Sequence, residues 1–212
     1  MNTFAAGEML GFGWDVFKKR PWFLIGCFFL VIILFAIISG ILNGIIGGIF
    51  GTGTTGSALQ SIVRFILQLF LGMGVLGFFL KVHDAPESAK ISDFWHPHPF
   101  WGYFAATILY TIIVLIGLVL LIVPGVMAIT ALMFTQTLVI DRKLGPVEAL
   151  RESMRITRGH RWSLLALLLL VILINIIGLL ALIVGILISA PITSIAVIHA
   201  YRTLSRQAPA AA

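Results

Sequence analysis

The sequence predicts an all-α membrane protein with six transmembrane helices. They are arranged as three repeated helical hairpins, each preceded by a cytoplasmic interfacial segment. Composition, the placement of charge and an internal repeat carry this prediction. The 212 residues are 60% hydrophobic and 10% charged, with a mean hydropathy of +1.11. Soluble domains carry about 25% charged residues, so this chain could not cover itself with a polar surface. Its apolar runs are long enough to cross a bilayer.

Charge sets the topology. Lys18, Lys19 and Arg20 precede the first span, and Lys81 and Lys90 separate the second from the third. Arg142, Lys143, Arg151, Arg155, Arg158 and Arg161 separate the fourth from the fifth, and Arg202 and Arg206 follow the sixth. Only Arg64 stands elsewhere. By the positive-inside rule both termini and the two large loops are cytoplasmic, which requires an even number of spans. The net charge of +6 is therefore a topology signal, and no nucleic-acid partner is expected.

Internal similarity divides the chain in the same way. Shifted by 61 residues, Trp101 meets Trp162 and Gly117 meets Gly178, and GLVLLIVPG (117–125) matches GLLALIVGI (178–186) at five of nine positions. Shifted by 140, Glu8 meets Glu148, Leu10 meets Leu150 and Trp22 meets Trp162. The predicted units are 4–80, 91–141 and 145–204 of a single domain (1–204), with 205–212 a disordered tail.

Taken in order, 4–19 reads as an amphipathic segment with Leu10, Trp14 and Phe17 on one stripe. The apolar block from Pro21 is too long for the apolar region of a signal peptide, so a retained anchor is expected. Span one covers about 22–42, with Gly40, Gly44, Gly47 and Gly48 at its end. GTGTTGS (51–57) follows as a flexible loop, then span two at about 58–80. The loop contains a literal G-x-G-x-x-G but lacks the strand, helix and acidic residue of a dinucleotide site. Residues 81–100 hold Pro86, Pro97 and Pro99, which argue against a long helix. Spans three and four run from 101 to 140, and Pro124-Gly125 reads as the turn between them. Spans five and six run from 162 to 201, with Gly185 and Pro191 as the turn or kink.

The segment GPVEALRESMRITRGHRW (145–162) is the longest polar interval between two apolar blocks. Pro146 suits a first helical position and Gly159 a helix end. Val147, Leu150 and Met154 form one stripe, while Glu148, Arg151, Glu152, Arg155 and Arg158 take the remaining surface. This reads as a short amphipathic helix on a membrane surface, with Trp162 anchoring the next span. An ordinary solvated connector is the plainer alternative.

The runs LLIVPGV (120–126), EALRESMRITRGHRW (148–162) and AYRTL (200–204) resemble bacterial six-helix membrane proteins of unknown function. That group is similar to the membrane domain fused to some glycerophosphoryl diester phosphodiesterases. The resemblance implies a fold and a bacterial inner (plasma) membrane location. No soluble phosphodiesterase domain is read here, so that activity is not expected to carry over.

Candidate contacts with lipid or a partner are Arg151, Arg155, Arg158 and Arg161, because anionic headgroups attract such clusters. Arg64 joins them with Gln60 and Gln68, which share its face at i and i+4 spacing. Arg64 lies 17 residues from Lys81, about 25 Å along a helix, close enough to the far interface to snorkel. Gln136 and Asn175 are intramembrane polar groups suited to interhelical hydrogen bonding. A polar pathway through Gln68, Gln136 and Asn175 would instead mark a small transporter or channel.

His83-Asp84, Asp93, His96 and His98 carry metal-ligating side chains, but four ligands at workable spacing are missing, so no metal site is expected. Cys27, the one cysteine, allows no intrachain disulfide. No catalytic motif is present, so neither an enzyme nor a cofactor is expected. The expected function is a non-enzymatic scaffold or accessory subunit. Membrane lipids are its expected partners, with a membrane protein or a second copy of the chain as further candidates.

Overall fold

The computed structural model describes residues 5–51, 53–95 and 99–207. Among them are nine α-helices, one 3-10 turn and no strand. They are α1 (Ala6–Lys19), α2 (Pro21–Phe50), α3 (Thr54–Asp84), α4 (Phe100–Leu120) and α5 (Ile122–Leu132). After these come α6 (Thr135–Arg142), α7 (Pro146–Ile156), α8 (Arg161–Leu180) and α9 (Leu182–Gln207), while the 3-10 turn is Ile91–Trp95. Taking α5 and α6 together, six helical segments are long and apolar enough to cross a membrane. Their outward surfaces are rich in exposed Ile, Leu and Phe, as a hydrocarbon environment requires. The chain is an all-helical membrane protein. Phe12 of α1 stacks on His199 of α9, so the first and last described helices meet on one side, called here the terminal side.

Several boundaries differ from expectation. The second hairpin does not turn at Pro124-Gly125. Its break is Leu121, in extended backbone, and Pro124 lies in the first turn of α5, where its missing N–H costs nothing. The third hairpin breaks at Ala181, leaving Gly185 and Pro191 inside α9. Glycine instead allows the arms at these two tips to close. A methyl on Gly117 would sit 3.0 Å from Cα of Gly125, and one on Gly185 would overlap the carbonyl oxygen of Gly178.

In the first hairpin, helix continues past residue 42 to Phe50, so Gly44, Gly47 and Gly48 are helical. Gly51, at φ 71°, ends α2, and α3 starts at Thr54, so the expected 51–57 loop is mostly helix. With 30 residues against 21 in α4 and 20 in α8, α2 is longer by roughly 14 Å. Gln60 Nε2 donates to the carbonyl of Asn43 at 3.2 Å and ties this longer hairpin together. At the chain's end, α9 runs to Gln207, so 205–207 are helical where a disordered tail was expected.

The faces that α1 and α7 bury inside the protein are not the apolar stripes read in the sequence. In α1 the buried face is Met9, Gly13, Val16 and Phe17, and Trp14 is exposed. Gly13 is the reason. The helix crosses α9 so closely that a methyl there would lie 2.5 Å from the carbonyl oxygen of Ile192. Burial in α7 follows Ala149, Leu150, Ser153 and Ile156, leaving Val147 and Met154 exposed at 52% and 42%.

Gly13→Leu should therefore force α1 off α9 and cost about 1–3 kcal/mol, read as a lower thermal midpoint in detergent. Gly11→Leu, with open space around its position, should leave the midpoint nearly unchanged.

Candidate functional site

The site is built on a flaw in the fourth span. Between α5 and α6 the helix breaks at Met133–Phe134, which frees backbone groups that a membrane helix must satisfy. Helix α7 supplies the partners. Ser153 Oγ donates to the carbonyl of Ala131 at 2.9 Å and accepts from the N–H of Phe134 at 3.3 Å. Thr157 Oγ1 lies 3.1 Å from the same carbonyl, and its one proton is shared with the nearer Ser153 carbonyl of its own helix at 2.8 Å. Ser153 and Thr157 are both buried, so these bonds form away from water, where leaving the groups unmade is costly. Helix α7 is thus fastened into the protein by buried hydroxyls.

Fastening that face turns the arginines outward. Arg151, Arg155 and Arg158 follow at i, i+4 and i+7, and Gly159, at φ 88°, reverses the chain so that Arg161 opens α8 beside them. With Met154 and Gly159 they line an open cavity of about 570 Å³. Arg155 is held by Glu152 through two bonds of 2.7 Å, and Arg142 of α6 reaches the same carboxylate at 2.9 Å. The Arg155 bond, followed by the charges of both arginines, outweighs desolvation and holds the Glu152 carboxyl below its ordinary 4.5. Arg151, Arg158 and Arg161 form no salt bridge to a described carboxylate. The indole of Trp162, next in the chain, is 73% exposed.

Sequence reasoning missed a second cluster on the terminal side. His83 Nε2 lies 3.0 Å from His199 Nδ1, and His83 Nδ1 lies 3.0 Å from Asp84. Phe12 stacks on the His199 ring at 3.8 Å between centroids. Arg202 grips both oxygens of Asp84 and also donates to Asp141 at 2.7 Å, where the Tyr201 hydroxyl joins at 2.6 Å. This clasp joins α1, α3, α6 and α9. Nearby, Arg20 donates to the carbonyls of Pro86, Glu87 and Ala89, closing the chain that leaves α3.

The remaining candidates are scattered. Gln136 Nε2 donates to Thr107 Oγ1 at 3.0 Å within the α4–α6 contact. Asn175 donates to Thr193 Oγ1 and accepts from Ser189 Oγ, each at 3.0 Å, within the α8–α9 contact. Gln68 and Arg64 are exposed on α3, and Gln60 is half-buried. Gln68, Gln136 and Asn175 therefore do not share one cavity. A second hollow, about 420 Å³ and apolar, lies between α2, α3 and α4 and includes Leu34, Ile38, Leu67, Met73 and Phe100. Of the histidines with metal-ligating potential, His83 pairs with His199, and His96 and His98 lie outside the described residues. No group of three or more His, Cys, Asp or Glu among the described residues is placed to hold a metal.

A family model described as "Domain of unknown function (DUF7847)" matches residues 21–211. The chain belongs to the DUF7847 family. No curated protein and no solved structure matches it. The DUF7847 match takes in the whole arginine cavity and all of the clasp except Phe12, which α1 contributes from before the matched region.

Ser153→Ala should cost about 1–3 kcal/mol in a denaturation series, since it strands the Phe134 N–H, whereas Arg151→Ala should cost little. Because the folded Glu152 carboxyl titrates below its unfolded value, its contribution is complete above pH 4.5 and fades as pH falls through the depressed value. Amide exchange in α7, corrected for intrinsic rates, should accelerate over that acid range, and Glu152→Gln should abolish the pH step.

Proposed function

We propose that this protein is a non-enzymatic membrane scaffold or accessory subunit that docks anionic lipid headgroups at its terminal face. The observation carrying this reading is the convergence of Arg151, Arg155, Arg158 and Arg161 on one open cavity. Each basic residue near an anionic leaflet contributes about 1 kcal/mol of attraction. In this reading the terminal side faces the cytoplasm of a bacterial cell and the chain sits in the inner membrane. The charge bias supports that orientation, since thirteen of the fourteen Lys/Arg residues flank or lie in terminal-side segments. A protein partner or a second copy would use the same membrane setting, and nucleic acid has no part in it.

Three repeated units are also part of this reading. Trp22, Trp101 and Trp162 are each the second residue of the first helix of a hairpin, exposed at 85%, 77% and 73%, as interfacial anchors should be. Kinship with the membrane domain of glycerophosphoryl diester phosphodiesterases is consistent with such a role and adds no chemistry. The separate local pairing of Gln136 and Asn175 favours a scaffold over a transporter, which needs polar groups converging on a midplane site.

The triple variant Arg151→Gln/Arg158→Gln/Arg161→Gln leaves the Glu152–Arg155 pair in place. It should weaken binding of short-chain phosphatidylglycerol to the protein in neutral detergent by about 3 kcal/mol, on the order of a hundredfold. Unchanged binding in a calorimetric titration would remove the headgroup-docking role.

A further inference from the structure

We infer that the arginine cavity is a site for a phosphate monoester, a group with a terminal phosphate, in preference to the phosphodiester of ordinary phospholipids. The inference rests on the docking reading above and goes further by naming the chemistry of the ligand. The fork of Arg155 is already occupied by Glu152, so its donors are not open to a ligand, although Arg142 shares that one carboxylate. What the cavity offers is Arg151, Arg158 and Arg161, three guanidinium groups with no carboxylate partner among the described residues. Arg161 is half-buried, so its side chain is held at the cavity wall.

Backbone geometry adds to the same place. Arg161 is the first residue of α8, a 20-residue helix whose N-cap, His160, makes no side-chain capping bond. First-turn N–H groups then remain available for an anion, and the helix dipole favours negative charge there. Trp162 beside it marks the depth of lipid headgroups.

Charge and donor count select the ligand. A phosphodiester carries one negative charge and two free oxygens, so it would leave most of these donors unmet. A monoester carries about −1.5 to −2 near neutral pH and presents three terminal oxygens. Those oxygens suit the forked donors of arginine, which bind phosphate in pairs. Phosphatidate in the membrane and a soluble phosphate ester share this chemistry.

The test uses the full chain in nonionic detergent and calorimetric titration with dioctanoyl phosphatidate, dioctanoyl phosphatidylglycerol, glycerol phosphate and inorganic phosphate. Phosphatidate should bind about tenfold or more tightly than phosphatidylglycerol at alkaline pH. The preference should shrink as pH falls through about 6, where the monoester takes up its second proton. Arg151→Gln/Arg158→Gln/Arg161→Gln, whose exchange spectrum in α7 should match the parent, should erase it. Weak binding of glycerol phosphate beside strong binding of phosphatidate assigns the lipid source, and equal binding assigns a soluble ester. Equal affinity for both lipids would overturn the monoester inference while leaving headgroup docking intact. Failure of every anion to bind would overturn both.

Discussion

The arrangement depends on one backbone defect and its repair. Hydrocarbon offers no hydrogen bonds, so a broken membrane helix survives only where the protein supplies partners for the exposed groups. The fourth span breaks between Leu132 and Thr135, and the hydroxyls of Ser153 and Thr157 serve the freed carbonyl and amide. That contact fixes the rotation of α7 about its own axis. With the Ser153 edge turned inward, the opposite edge bearing Arg151, Arg155 and Arg158 can only face outward. Gly159 then folds the next residues back so that Arg161 completes the group. The charge cluster is a consequence of the repair.

A second constraint holds the terminal side together. Arg202 stands between Asp84 and Asp141, on helices brought together from distant parts of the chain. These groups are only partly buried, with Arg202 at 21% and Asp84 at 44% side-chain exposure, so solvent screens much of their attraction. Their effect is better understood as geometric. A guanidinium shared by two carboxylates fixes the angle at which α3, α6 and α9 meet, and Phe12 closes α1 over the paired histidines. The His83–His199 bond needs one ring to donate and the other to accept. Protonating both rings would set two N–H groups against each other at this contact.

Much of the architecture was legible in the sequence because hydrocarbon imposes simple rules. Span length, the sidedness of Lys and Arg, and aromatic residues at interfaces are each set by a single physical cost. The turns were less legible. Pro124-Gly125 has turn composition, yet proline is tolerated in the first turn of a helix, and the chain reverses at Leu121, which carries no turn signal. Apolar periodicity does not tell which faces of α1 and α7 pack inside the protein. In α1, Gly13 makes the closest contact without adding hydrophobicity. In α7, two hydroxyl residues are buried because backbone groups await them. The clasp could not have been read at all, since His83 and His199 are 116 residues apart and only the fold makes them neighbours.

Position and function meet at the junction of α7 and α8. A cluster of arginines on a flexible loop would lose conformational entropy on gathering around a ligand, and that loss would offset much of its attraction. Here the cost is reduced before any ligand arrives. Helix α7 is fastened by Ser153 and Thr157, tied to α6 through Glu152 and Arg142, and joined to α8 by a short turn. Glu152 has a further effect: by engaging Arg155 it relieves repulsion within the cluster and leaves Arg151, Arg158 and Arg161 unneutralised. The resulting cavity is open, lined by four arginines and held by fixed helices. In the proposed role, such fixed donors gain most from a ligand whose oxygens are concentrated at one point.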